Sequence, residues 1–246
     1  MSASKIKLVS WDLLHTLVLP RYPIAVAYQR SFEPFLGRLD LAALERSFPI
    51  ALRRLQKDKP LYGGDSRDWW SQVICQTGLG AGADPHTLDA SLPSIVDNLM
   101  TVFSSKEGYK AREHSIQVLN ELNQLGVHTA VVSNADSRML SVIQDLGFPR
   151  TLFPVILSEA VGFEKPSIEI FHHTLERVNA GRDVKIALSE CVHIGDEIEC
   201  DYNGAREAGM NALLLKRVDE AEGSTEGNGE TVDDMEQILD WVRKRL

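Results

Sequence analysis

Cysteine is scarce in this 246-residue sequence, and the three present are badly placed for a metal knuckle. Cys75, Cys191 and Cys200 are odd in number and form no CxxC pair. Reduced thiols acting as small apolar side chains are therefore expected. No apolar run is long enough to span a bilayer, so no membrane partner is expected. Neither an apolar signal core nor an Arg-rich presequence precedes the first strand-like run, which makes the cytoplasm the expected address, with the nucleus left open. Positive charge is also short: 26 Lys and Arg face 35 Asp and Glu, for a net charge of -9. With no basic patch, nucleic acid is not an expected partner. The acidic balance still leaves room for an anionic small molecule held by a few local donors. There is no internal repeat, and no signal of oligomeric state.

What is present is an ordinary globular composition with a clear alternation. Lys5–Trp11 (KIKLVSW) is a short apolar, β-branched run that reads as a buried strand. Similar runs recur at Val127–Ser133, Pro154–Ser158, Cys191–Gly195 and Asn211–Leu215. Amphipathic segments separate them. His114–Leu125 places Ile116, Leu119, Leu122 and Leu125 on one face and stops at Gly126. Asp136 is placed to cap a helix with Leu140, Ile143 and Leu146 inward, and Ser167 one with Phe171, Leu175 and Val178 inward. Glu199–Ala208 reads as a further helix, stopped by Gly209. Strand alternating with helix predicts a parallel sheet with helices on both faces.

The stretch after the first strand differs. It contains no convincing strand, but Leu41, Leu44, Phe48, Ala51, Leu52 and Leu55 fall at helical spacing. Ser66 or Asp68 is a candidate cap for a helix with Trp69, Trp70 and Ile74, and Asp84-Pro85 is a good helix opening. A helical module is thus expected over residues 21–104, inserted into an α/β core made of residues 1–20 and 105–246. Tyr62, Trp69 and Trp70 are expected to pack inside that module. The acidic, glycine-containing stretch Val218–Asp233 reads as a loop, and Met235–Leu246 as a closing helix.

Four short segments, each at the end of a predicted strand, carry the chemistry, because open α/β sheets place ligands at that edge. They are Asp12 through Leu17, Ser133-Asn134, Gly162 through Pro166 with Lys165, and His193-Ile194-Gly195-Asp196 followed by Asp201. Singly, a strand-end Asp is ordinarily a cap and Lys165 a surface charge. Together they make up the parts list of a phosphoryl-transfer site: an anionic nucleophile, donors for the equatorial oxygens, a cation and a metal position. If Asp12, Asp196 and Asp201 converge, each carboxylate pair about 4 Å apart costs about 4 kcal/mol at an effective dielectric of about 20. Such a cluster calls for cations within it: Lys165 and a hard divalent ion.

These segments resemble the four signature motifs of the haloacid dehalogenase superfamily. Finer details are similar to the subfamily of rhythmically expressed gene 2 and haloacid dehalogenase-like hydrolase domain-containing protein 3. Those details are the Trp before Asp12, the paired Trp69-Trp70, and Cys200-Asp201-Tyr202. The resemblance implies a Rossmann-like parallel-sheet core with an inserted helical cap of the C1 type. It implies that Asp12 attacks and forms a covalent aspartyl intermediate on a phosphorylated small molecule. Thr16 would hold the first loop, Ser133 and the Asn134 backbone the transferred group, and Lys165 would neutralise Asp12 and the developing charge. Mg2+ would be held by Asp12, the Leu14 backbone carbonyl and Asp196, with Asp201 ordering that shell.

Leu14 departs from the phosphatase pattern, which has a second Asp there to protonate the leaving group and then activate water. General acid–base help contributes about 10²–10⁴ in rate, so an efficient ordinary phosphatase is not expected. Three readings stay open. One is a magnesium-dependent hydrolase with reduced or atypical activity, with His15 the nearest substitute acid. Another is C–X or C–P cleavage of the dehalogenase or phosphonatase kind, which does without that acid. The third is a catalytically inactive binding or scaffold protein on the same fold.

Overall fold

A six-stranded, wholly parallel sheet forms from β1 (Leu8–Trp11), β4 (His128–Ser133), β5 (Leu152–Leu157), β6 (Cys191–Gly195), β7 (Asn211–Leu215) and β8 (Thr231–Val232). Its order is β5-β4-β1-β6-β7-β8. The computed structural model describes residues 5–218 and 229–246. The inner strands are buried along nearly their whole length, which is why they read as continuous apolar runs and not as alternating ones. From β1 the chain builds outward through β4 and β5, then returns to β1's other side for β6, β7 and β8. The reversal sets a switch point beside β1, the position where parallel α/β sheets bind ligands.

The described residues divide into two compact units. One takes in Met1–Leu19, Ala111–Ser137 and Gly147–Leu246, and the other Pro20–Lys110 and Arg138–Leu146. In the first, α8 (Ile168–Asn179) presents Ile170, Phe171 and Val178 to Leu8, Ala130, Val132 and Ile156 of the sheet. Helix α5 (Ser115–Gln124) packs on β4 and against α10 (Met235–Arg243). Short helices α7 (Ser158–Val161) and α9 (Gly204–Glu207) complete it. Between β6 and α9 runs a π-helical turn, Ile198–Asn203, where a continuous helix was expected. The backbone N–H groups of Asp201 and Tyr202 both reach the Glu197 carbonyl, which widens the turn.

The second unit is helical: α1 (Ile24–Leu36), α2 (Leu41–Asp58), α3 (Ser66–Gly80), α4 (Pro85–Val102) and α6 (Arg138–Asp145). Its core joins Tyr28, Phe32, Leu44, Ile74, Leu88, Ile95 and Leu99. Trp69, 2% exposed, belongs to a second cluster with Ala51, Leu55 and Val73, and its indole N–H donates to the Lys59 carbonyl. Asp84 caps α4 through Thr87, while α3 is capped by Asp65, neither of the two residues anticipated. Strands β2 (Val18–Pro20) and β3 (Tyr109–Ala111) pair with each other at the ends of the insertion.

Three readings of the sequence need correction. The helical unit runs past 21–104 to Lys110 and also takes in α6, which the alternating pattern assigned to the core. Its contacts explain this: the Arg138 guanidinium lies 4.7 Å from the Trp70 ring centre, and the Lys106 N–H donates to Asp145. Helix α6 also turns a different face inward. Met139 and Val142 are buried, whereas Leu140 is 50% exposed. Finally, the loop expected over 218–233 ends in β8, which pairs with β7; its residues 219–228 lie outside the described residues.

Candidate active site

The site assembles on the first unit, where four strands or their following loops end together. Strand β1 continues its pairing one residue further, with the Asp12 N–H donating to the Ile194 carbonyl at 2.8 Å. The chain then coils tightly. The Leu13 carbonyl accepts from both Leu17 and Val18, and the His15 N–H donates to Val18. Leu14 forms an isolated bridge with Val18. His15 takes a left-handed backbone, φ 64°, and its carbonyl accepts from Arg112 Nη1 at 2.9 Å. Thr16 is buried, and its hydroxyl donates to Asp196 Oδ1 at 3.1 Å.

Asp12 is the centre of the cluster. Its Oδ1 accepts from the Ser133 hydroxyl at 3.0 Å and from Lys165 Nζ at 2.6 Å. Lys165, also buried, donates a second bond to Asp201 Oδ1 at 2.6 Å. Asn134 takes hold of the Lys165 main chain: its amide donates to the Lys165 carbonyl at 2.8 Å and accepts from the Lys165 N–H at 2.7 Å. The Asn134 side chain thus fixes the lysine loop.

At the end of β6, Asp196 is gripped from two sides, by Thr16 on Oδ1 and by Arg217 Nε on Oδ2 at 2.6 Å. Arg217 also reaches Glu197 at 3.3 Å. Asp201 is brought back under the strand end by the π-helical turn, and its Oδ2 accepts from the Glu197 N–H at 3.0 Å. The turn lies so close that a Cβ at Gly195 would collide with the Asp201 carboxylate. His193, fully buried in β6, has Nδ1 3.0 Å from the Ser10 hydroxyl and Nε2 3.1 Å from Asp201 Oδ1. An ionised Asp201 only accepts, so the proton belongs on Nε2, and Nδ1 accepts from Ser10.

Burial is the main force on these charges. It lifts the Asp12 carboxyl to about 7, with Asp201 and Asp196 adding to the rise and Lys165 opposing it. Burial raises Asp196 too, against the pull of Arg217. Burial works the same way on Asp201, but Lys165 and His193 overcome it and hold that carboxyl below the usual range. Burial disfavours charge on Lys165, yet Asp12 and Asp201 more than compensate, so its ammonium persists. His193 is pushed toward the neutral ring by burial.

Asp12, Asp196 and Asp201 each offer one oxygen, and the three oxygens lie within 4.8 Å of one another. Burial holds two of the three carboxyls above their ordinary range, and each is raised further by its neighbouring carboxylates. That donor set, all oxygen and short of cations, fits a hard divalent ion.

Asp12, Thr16, Ser133, Lys165, Asp196 and Asp201 therefore come together, with Asn134 one step behind them. The His15 ring acts electrostatically on Asp196. Sequence reasoning missed Arg112, Arg217 and His193 as parts of this network. The first two stand outside the four segments and carry no spacing signal. His193 lay inside a segment but read as part of an apolar strand.

Comparison with known proteins agrees with this geometry. The family described as haloacid dehalogenase-like hydrolase matches residues 6–209. The human haloacid dehalogenase-like hydrolase domain-containing protein 3 is 31% identical over 216 residues, covering 86% of this chain and 82% of that protein. The rhythmically expressed gene 2 protein of Drosophila melanogaster is 25% identical over 224 residues, covering 87% and 84%. Among solved structures, YfnB of Bacillus subtilis, bound to magnesium, superposes with a TM-score of 0.72 at 16% identity, covering 98% of this chain and 100% of that one. With its acids, lysine and Ser-Asn pair gathered at one edge of a parallel sheet, and with these relatives along most of its length, the chain belongs to the haloacid dehalogenase-like hydrolases.

Proposed function

We propose that the protein is a magnesium-dependent hydrolase of a phosphorylated small molecule, with Asp12 as nucleophile and with turnover limited by Leu14. The observation that carries this reading is the setting of Asp12: buried, held on Oδ1 by Ser133 and Lys165, and beside two further carboxylates. Both contacts fall on Oδ1, so neither blocks Oδ2. An attacking Asp12 oxygen would form a bond to phosphorus as the phosphorus–oxygen ester bond breaks, the electron pair leaving with the ester oxygen. Water would then split the aspartyl phosphate, giving inorganic phosphate and restoring the carboxylate. Ser133 and Lys165 would donate to the transferred group, and Lys165 opposes the burial that raises the Asp12 carboxyl. Asp12, the Leu14 carbonyl and Asp196 would hold the divalent cation, with Asp201 supporting them; the ion would offset the crowded carboxylates and polarise the bound phosphate.

The departing oxygen needs a proton, and a Leu14 side chain has none to give. The proton would come from water or from His15, whose ring lies within electrostatic reach of Asp196. The test is a screen of phosphate esters with Mg2+, with Asp12→Asn as the blank. Turnover that disappears in the variant supports the reading, and equal turnover in both proteins ends it. His15→Ala that keeps full turnover would remove His15 from the scheme without touching Asp12.

One observation favours a second reading, cleavage of a carbon–halogen bond by the same Asp12. Arg217 and Lys165 together already supply two positive charges to the three carboxylates. Halide leaves without needing a proton, so Leu14 is no handicap there. Halide release from a 2-haloacid without added Mg2+ would select this reading.

A further inference from the structure

We infer that Arg217 is a built-in counter-cation that competes with the divalent metal for Asp196 and so sets the metal affinity of the site. The inference rests on the metal reading above and adds a residue to it. Both oxygens of Asp196 are already engaged, Oδ1 by Thr16 and Oδ2 by Arg217. The Asp196 side chain is buried, and Arg217 is one-third exposed, so the arginine brings its charge into the site from a solvent-facing loop. A metal ion arriving at Asp196 must share an oxygen with that guanidinium or displace it.

The arginine is not a stray surface charge. The residue before it is tied down on three sides. The Lys216 carbonyl accepts from Arg112 Nη2 at 2.8 Å, its N–H donates to the Val232 carbonyl at 3.0 Å, and its ammonium pairs with Asp233. Arg112 is itself buried, and its other end holds the His15 carbonyl at 2.9 Å. The loop after Asp12 and the loop after β7 are therefore fixed to one another through a single side chain, and Arg217 is delivered to Asp196 by that brace. Glu197 takes a second nitrogen of Arg217 and gives the guanidinium somewhere to rest when Asp196 is shared.

Charge counting states the consequence. With Asp12, Asp196 and Asp201 ionised, Lys165 and Arg217 leave the cluster with one net negative charge. A divalent ion turns that into one positive charge, suited to a phosphate anion. Without Arg217 the same carboxylates would hold the ion more tightly and leave less positive charge for the substrate.

The experiment compares wild type, Arg217→Gln and Arg217→Lys for binding of Mg2+ by calorimetry and of Mn2+ by the paramagnetic resonance signal of the free ion, with no substrate present. Gln keeps a hydrogen-bond donor and removes the charge. It should tighten both ions by about fivefold, the factor that roughly 1 kcal/mol of a partly exposed ion pair makes. Lys keeps the charge and should stay within about twofold of wild type. Unchanged or weaker binding by the Gln variant, or equal tightening by Lys, overturns the inference while wild-type binding keeps the metal reading intact. If neither wild type nor the Gln variant binds either ion, the metal reading falls and the inference with it. Binding by the variant alone supports the inference in its strongest form.

Discussion

Asn134 holds Lys165 by both of its main-chain groups, donating to its carbonyl at 2.8 Å and accepting from its N–H at 2.7 Å. The lysine ammonium is thereby aimed from the backbone upward, and one carboxamide carries the aim. Asn134→Ala would strand two main-chain groups beside a buried lysine, a cost of about 1–3 kcal/mol for each one left unsatisfied. We expect lower stability in urea denaturation together with weaker binding of phosphate analogues. A variant that loses stability but binds the analogues as wild type would show that Lys165 is aimed by something else.

Leu14→Asp tests whether the rest of the site is sound. Leu14 is only half-buried, so the substitution does not force a charge into the core. Restoring a general acid should raise Mg2+-dependent phosphomonoesterase turnover by about 10²–10⁴. The rate constant under saturating ester is the readout, and no rise would favour the binding or C–X readings.

Lys165→Met removes the ammonium shared by Asp12 and Asp201. Taking one partner from a buried ion pair costs about 3–5 kcal/mol. In an Asp12→Asn background the same change should cost less, because one uncompensated carboxylate is already gone. A double-mutant cycle on urea midpoints measures the difference, and strict additivity would mean that the pair is not coupled.

The elevated Asp12 carboxyl gives a pH signature to the protein without added metal. Its value in the fold is about 7 against 3.8 when unperturbed. A carboxyl that keeps its proton more readily when folded lends stability that is complete below 3.8 and lost as pH climbs through about 7. Asp201 is displaced the other way, so its contribution fades only as pH falls below the ordinary carboxylate range. Asp12→Asn should therefore gain on wild type steadily between pH 3.8 and about 7 in chemical denaturation. A constant offset across that window would contradict the buried, cation-poor setting.

Gly195→Ala should be harmful out of proportion to its size. The added methyl would collide with the Asp201 carboxylate, which also serves Lys165 and His193. Overpacking of this kind costs about 1–3 kcal/mol, and here it would also dislodge a charge. Thermal unfolding should show a lowered midpoint, and a smaller rise on adding Mg2+ than the rise expected of wild type.

Much of the site was legible because its residues sit where strands end. Asp12, Ser133 and Asp196 each close or follow an apolar run, and parallel strands finish at one edge of a sheet, so a linear pattern became a spatial cluster. The Asn134 backbone was expected to bind the transferred group; that its side chain grips Lys165 carried no signal in the sequence. Arg112 and Arg217 stayed hidden, because a long cationic side chain beside a loop looks the same in sequence whether it meets water or a buried carboxylate. The inward face of α6 was misjudged for a related reason. Met139 and Val142 compete with Leu140 as overlapping stripes of one helix, and only the surface it packs against chooses between them.

The order of residues alone determined the alternation of strand and helix, the helical insertion after β1, and the identity of the acids and the lysine at the strand ends. These follow from local periodicity and from rules of chain connection that need no coordinates. The tertiary structure decided which charge meets which: that Lys165 is shared between Asp12 and Asp201, that His193 backs Asp201, and that Arg217 reaches Asp196. Burial and distance govern electrostatic energy, and both are properties of the packed chain, where residues nearly two hundred positions apart come within a hydrogen bond of each other.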